Sequence, residues 1–169
     1  MSNNDGSINR DQGDANEKIA SGILGLKQTR GSGCGLLEKG DLGSGSRFHV
    51  EAKSCRSSKI RIDSTWYLKA AAQAKERRKS VVLLQIAFMN RFEPALRHLR
   101  WVGMGQDEFT KLGIDSPATE RTAKKTYELS QSEDVGDVFS VLFTASNTKL
   151  FFVPEVMLTP KIIGNLHDN

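Results

Sequence analysis

Two carboxylates and a lysine stand close together in this chain: Asp41 in Lys39-Gly40-Asp41, then Glu51 and Lys53 in Val50-Glu51-Ala52-Lys53. Magnesium takes hard oxygen ligands and keeps several of its waters, so one or two carboxylates and a phosphate oxygen are enough to hold it. A cation held there polarises a phosphate ester and lowers the pKa of a coordinated water. A lysine beside the carboxylates can orient that water or stabilise charge developing on the phosphate. The plain alternative for the same three residues is a charged, solvated face on an antiparallel strand.

For the chemistry to work, local structure must bring these side chains together. Gly43-Ser44-Gly45-Ser46 is a run of small turn formers, so the stretch between Asp41 and Glu51 reads as a tight hairpin. Successive strand residues point to opposite faces. A strand over residues 47–54 therefore places Arg47, His49, Glu51 and Lys53 on one face and Phe48, Val50 and Ala52 on the other. The apolar face packs on a core, the charged face lines a cleft, and Asp41 on the partner strand comes within reach of Glu51. His49 shares the charged face, where a hydrogen-bonded bystander is expected rather than a metal ligand.

Upstream, residues 1–14 are rich in Asn, Asp, Gly and Ser and are expected to be a disordered tail. Asp14 or Asn16 can cap a helix to about Leu24, with Gly25 ending it. A short strand over 26–29 then leads into Arg30-Gly31-Ser32-Gly33, a loop whose glycines permit close backbone approach and whose Arg30 and Ser32 can meet phosphate. Downstream, residues 56–61 are basic and expected to be exposed. Asp63 or Ser64 caps a helix to about Arg78, in which Trp66, Ala70, Gln73 and Ala74 share a face. The apolar run 81–88 reads as a strand covered on both sides, and a helix between two strands implies a parallel crossover.

Residues 91–102 are basic and aromatic (Arg91, Arg97, His98, Arg100, Trp101) and could extend an anion-binding surface. The polar stretch 105–137 predicts short helices at 105–112 and 117–130, and the whole of 89–137 reads as an insertion. Segments 139–145 and 149–153 flank Ser146-Asn147 as a hairpin, with an apolar C-terminal segment following to residue 163. The expected organisation is thus a tail at 1–14 and a single domain at 15–169, with its core at 15–88 and C-terminal strands at 138–163.

Charge is distributed unevenly. Residues 17–100 hold 17 Lys and Arg against 7 Asp and Glu, a net of +10 in a chain whose total is only +4. Clustered cations of this kind suit a phosphate backbone, and Lys39, Arg56 and Lys59 belong to the cluster. The bland reading of Lys75-Glu76-Arg77-Arg78-Lys79 is a solvated helix face. Cys34, Cys55 and the three histidines lack zinc-ligand spacing, so two reduced thiols are expected. No apolar run of membrane-spanning length and no signal-peptide core occurs, which makes a cytoplasmic protein with no membrane partner the expectation.

Residues 16–88 resemble the PD-(D/E)XK nuclease superfamily, in particular its small phage and archaeal Holliday-junction-resolvase-like branch. The resemblance rests on Glu17 early in a leading helix, the Gly/Ser loop, Lys39-Gly40-Asp41, Glu51-Ala52-Lys53, and the helix and apolar strand that follow. The proline of the superfamily's name is replaced by Gly40. The resemblance implies an α/β, restriction-endonuclease-like core (α-β-β-β-α-β, a mixed sheet flanked by helices) with a C-terminal extension. It also implies a catalytic set of Glu17, Asp41, Glu51 and Lys53, with the three carboxylates holding Mg²⁺ or, as a substitute, Mn²⁺. Lys69 and Gln73, on the helix after the ExK strand, become candidate DNA contacts beside Arg30, Ser32, Lys39, Arg56 and Lys59. The implied activity is endonucleolytic cleavage of branched DNA by a homodimer, without a small-molecule cofactor. A non-catalytic DNA-binding module of the same fold and a restriction- or repair-type endonuclease are the alternatives.

Overall fold

The computed structural model describes residues 47–88, 100–114, 119–131 and 137–166. In chain order they form β1 (Phe48–Cys55), β2 (Lys59–Asp63), α1 (Ser64–Glu76), β3 (Val81–Phe88), β4 (Arg100–Met104) and α2 (Gln106–Leu112). Then come β5 (Thr119–Ala123), β6 (Thr126–Ser130), β7 (Phe139–Phe143), β8 (Thr148–Pro154), a 3-10 turn at Glu155–Met157 and α3 (Pro160–Gly164). The architecture is α/β: a mixed six-stranded sheet in the order β1-β3-β4-β8-β7-β5, a two-stranded ribbon β2-β6, and few helices.

The apolar run of β3 is buried at every position, as a strand covered on both faces must be. β1 lies parallel to it, from Phe48 opposite Val81 to Cys55 opposite Phe88. Parallel neighbours need a long connection, and here β2 and α1 supply it. Pleat and register together assign the faces. Phe48 and Val50 align with Val81 and Leu83 and share a core with Val102, Met104, Phe151, Val153 and the C-terminal residues Ile163 and Leu166. On the other face Leu84, Ile86, Trp101, Phe139 and Phe152 pack beneath the ribbon residues Ile60, Ile62 and Leu129. Gly103 lies in this second layer because a Cβ there would stand 2.8 Å from the Phe152 ring.

α1 starts where its sequence says it should. Asp63 is extended, and its carboxylate accepts from the Thr65 amide at 2.9 Å, satisfying one of the unpaired donors of the first turn. The contact holds the Asp63 carboxyl below its ordinary range, mainly through that amide. Ala70 and Ala74 form the buried side of the helix and pack on Val82. The expected hairpin at 139–153 is β7 and β8, with Asn147 taking a positive φ of 49° in the turn.

Other expectations fail. The helix anticipated over 117–130 is instead β5 and β6, joined by a bend at Lys124 and Lys125. Thr-Glu-Arg-Thr-Ala and Thr-Tyr-Glu-Leu-Ser carry β-branched and aromatic residues, and each finds a distant partner: β5 lies parallel to β7 and β6 antiparallel to β2. The 89–137 segment, read as an insertion, also contributes β4, which lies between β3 and β8. Arg100 and Trp101 are buried in β4 and form no anion-binding surface. Arg91, Arg97 and His98 lie outside the described residues, as do the tail at 1–14 and the helix, strand and loop expected over 16–46. The apolar segment at 151–163 packs largely into the chain's own core, with Val156 exposed. Among the described residues no helix is long and apolar enough to cross a membrane.

Candidate functional site

β1 brings Glu51 and Lys53 together. Both point to the face covered by α1, two residues apart, and Lys53 Nζ donates to Glu51 Oε1 at 2.6 Å. Their side chains are 21% and 33% exposed, so the pair is neither sealed in the core nor lying freely on the surface. Glu51 Oε2 takes no hydrogen bond among the described residues. Lys53 also faces Trp66, in the first turn of α1, with the ammonium 5.7 Å from the ring centroid. The indole is itself packed against the core layer that holds Ile86, the β3 partner of Lys53. The ammonium thus has both a carboxylate and a π face as neighbours, two groups that each favour a cation.

Helical spacing extends the site along α1. Trp66, Gln73 and Arg77 recur every seven and four residues and form one stripe beside the buried alanines. Trp66 lies against Lys53, and the charge of Arg77 acts on His49, so the stripe borders β1. Half-buried Gln73 stands on it between those two residues, and Lys69 is exposed on its outer side. Arg56 is exposed just beyond β1. Lys59 is exposed on β2 but pairs with Glu128 of β6 at 2.6 Å, an interaction that lowers the pKa of the Glu128 carboxyl. A phosphate would have to compete with that carboxylate for the Lys59 ammonium.

His49 departs from expectation. It is 1% exposed, and its Nε2 has no hydrogen-bond partner among the described residues. Burial lowers its pKa below 6.5, partly opposed by Glu51 and reinforced by Lys79 and Arg77. The charged face of β1 is therefore open only from Glu51 onward, because α1 closes over its start. Cys55, a free thiol at the end of β1, has its pKa raised by burial, which makes it a poor nucleophile.

Beneath the site strand, on the opposite face, Ala52 is paired with Gln85, and Gln85, Arg100 and Glu155 are all buried. Burial lowers the Arg100 pKa, and the nearby Glu155 charge opposes the shift. Sequence reading missed this set because each residue comes from a different strand or turn. Sequence reading puts Trp66 on a helix face but does not place it against Lys53; its position just after the Asp63 cap, two elements beyond β1, is the available signal.

The remaining sequence-derived site residues, Glu17, Arg30, Ser32, Lys39 and Asp41, lie outside the described residues. Among the described residues no group of three or more His, Cys, Asp or Glu side chains is placed to hold a metal ion. What is present fits a magnesium site in donor type: a partly exposed carboxylate, one oxygen of which takes no hydrogen bond from the described residues, with a lysine ammonium beside it. A scan against protein-family models, a search of curated proteins and a search of solved structures each return no match.

Proposed function

We propose that this chain is a Mg²⁺-dependent endodeoxyribonuclease with a restriction-endonuclease-like core, acting on branched DNA. The observation that carries the reading is the Glu51–Lys53 pair on one face of β1, half-exposed, joined at 2.6 Å and bordered by α1. In this reading Glu51, with Asp41 and Glu17, holds the metal, which supplies Lewis acidity and an activated water. Lys53 stabilises negative charge developing on the phosphate, and Glu51 and Trp66 keep its ammonium in place. In this reading Lys69 and Gln73 of α1 and Arg56 just beyond β1 meet the DNA backbone, and Arg30, Ser32 and Lys39 are further backbone contacts. Resolving a four-way junction takes two symmetric nicks, which a twofold homodimer provides with one site per copy.

A second reading is a DNA-binding module without catalysis. It is favoured by the ion pair itself, since Lys53 at 2.6 Å offsets the Glu51 charge that would otherwise draw a cation. Cleavage assays on an immobile four-way junction, a flap, linear duplex and single strand, with Mg²⁺ or excess EDTA, separate the two. The nuclease reading expects incision that needs Mg²⁺ or Mn²⁺, prefers the junction, and disappears in Asp41→Asn and Glu51→Gln while binding persists. Binding without cleavage of any substrate supports the module; undiminished cleavage in EDTA refutes the metal assignment.

A further inference from the structure

The end of α1 opposite Trp66 is built in an uncommon way. The helix closes with a Schellman motif: the Lys79 amide donates to Ala74 O at 2.8 Å and the Arg78 amide to Lys75 O at 3.1 Å. The motif needs a left-handed residue between helix and exit, a position that favours glycine. Here that residue is Arg78, with φ 54°. The same protein ends α2 in the ordinary way, with Gly113 at φ 64°. Arg78 is exposed, and its side chain makes no hydrogen bond or ion pair with the described residues. Among the described residues no side-chain contact accounts for an arginine there, and the helix end already has cations in Lys75 and Arg77 to complement its dipole.

The neighbours of Arg78 share its sign. Arg77 precedes it and Lys79 follows it, and Lys75 is exposed one turn earlier. The chain then returns to β3 beside Arg47, whose carbonyl accepts from the Ser80 and Val81 amides and whose Nε donates to Ser80 Oγ at 2.8 Å. Five cations thus gather where α1 ends and β1 begins, with Glu76 the only acidic residue in 75–79. The field of Arg77 and Lys79 extends as far as His49.

We propose that Arg78, with Arg77, Lys79 and Arg47, is a second contact for a nucleic-acid phosphate backbone, remote from Glu51 and Lys53 and held in a strained backbone for that purpose. The proposal rests on the nucleic-acid reading of the site, and it adds a distance. Arg47 stands six residue steps before Lys53, roughly 20 Å along the strand. At 3.4 Å per base pair the cluster would meet phosphates about six base pairs from the scissile bond.

Arg78→Gly tests this because its two effects have opposite sign. Relief of the left-handed strain should raise the melting temperature by about 2 °C. Binding of a 30-base-pair duplex, followed by fluorescence anisotropy, should weaken several-fold, and the slope of log K against log salt should fall by about one. Arg78→Lys should retain wild-type binding and stability. Arg78→Gly that binds duplex as tightly as wild type overturns the proposal while leaving the nuclease reading intact. A wild-type chain that binds no DNA overturns both, as does Arg78-dependent binding to phosphatidylserine vesicles in place of duplex.

Discussion

The two halves of β1 belong to one strand, pair with one buried neighbour, and differ in almost everything else. Phe48, His49 and Val50 are buried, whereas Glu51, Ala52 and Lys53 are half-buried. The β3 residues opposite them are buried throughout, so the strand pairing does not make the difference. The covering layer does. Over the first half α1 presents Ala70 and Ala74, which pack on Val82, the partner of His49, and small side chains let a helix approach closely. Over the second half it presents Trp66, whose ring becomes a wall for Lys53. On the face it covers, α1 thus makes His49 core and leaves Glu51 and Lys53 as a site, while Phe48 and Val50 are buried in the opposite layer.

If that division is right, substitutions in the second half should change chemistry and those in the first should change stability. The largest effect belongs to the second half. Lys53→Ala should lower cleavage by about 10²–10³-fold, the usual loss when one charge-stabilising group is removed, and Glu51→Gln by at least as much. Neither should shift the melting temperature by more than a few degrees, because both side chains are partly solvated. Steady-state cleavage and thermal melts on the same preparations make the check; a collapse of stability in either variant would blur the boundary drawn at Glu51. Phe48→Ala should do the reverse. It empties a fully buried ring site and should cost about 3–5 kcal/mol in denaturant unfolding, with cleavage per folded molecule retained.

How much of this could be read from the sequence depends on how local the cause was. The pleat alone places Glu51 and Lys53 on one face, and an apolar run alone marks 81–88 as a doubly covered strand. Asp63 as a cap and Ser146-Asn147 as a turn are equally local signals. β5 and β6 escaped because their ladder partners, β7 and β2, are remote in the sequence, and an isolated threonine-rich pentapeptide does not reveal them. Arg100 and Trp101 looked like a surface because basic and aromatic composition ordinarily marks one; burial beside Glu155 comes from a strand pairing some fifty residues away. Trp66 against Lys53 was hidden for the same reason: strand and helix periods are visible separately, but not the angle at which they cross.

Two intermediate effects probe the helix that divides the strand. Asp63→Ala removes the N-cap and should cost about 1 kcal/mol of stability, measured by urea unfolding. Cleavage should also fall, because the first turn of α1 carries Trp66. Trp66→Leu keeps apolar bulk but loses the π face, and at about 0.5–1 kcal/mol for a partly exposed cation–π contact the rate should drop roughly two- to fivefold. Trp66→Phe should restore most of that loss. If leucine and phenylalanine behave alike, the ring acts only as filler, and Lys53 is positioned by Glu51 alone.

The smallest effect belongs to His49, the polar residue placed in the buried half. Burial holds its folded pKa below the ordinary 6.5. Above that value both folded and unfolded chains carry a neutral imidazole, and the residue leaves stability independent of pH. As pH falls through about 6.5 the unfolded chain binds a proton that the folded chain refuses, so folding weakens until the folded pKa is reached. The lost stability is confined to the interval between those two values. Urea unfolding of wild type and His49→Gln between pH 8 and pH 5 isolates it, since carboxylates elsewhere contribute equally to both proteins. The difference between the two curves should be flat above pH 7 and should turn against wild type below pH 6.5. A difference that instead favours wild type on acidification would mean that the attraction of Glu51 outweighs burial at His49. The boundary between the two halves of β1 would then fall one residue pair earlier, with His49 belonging to the site.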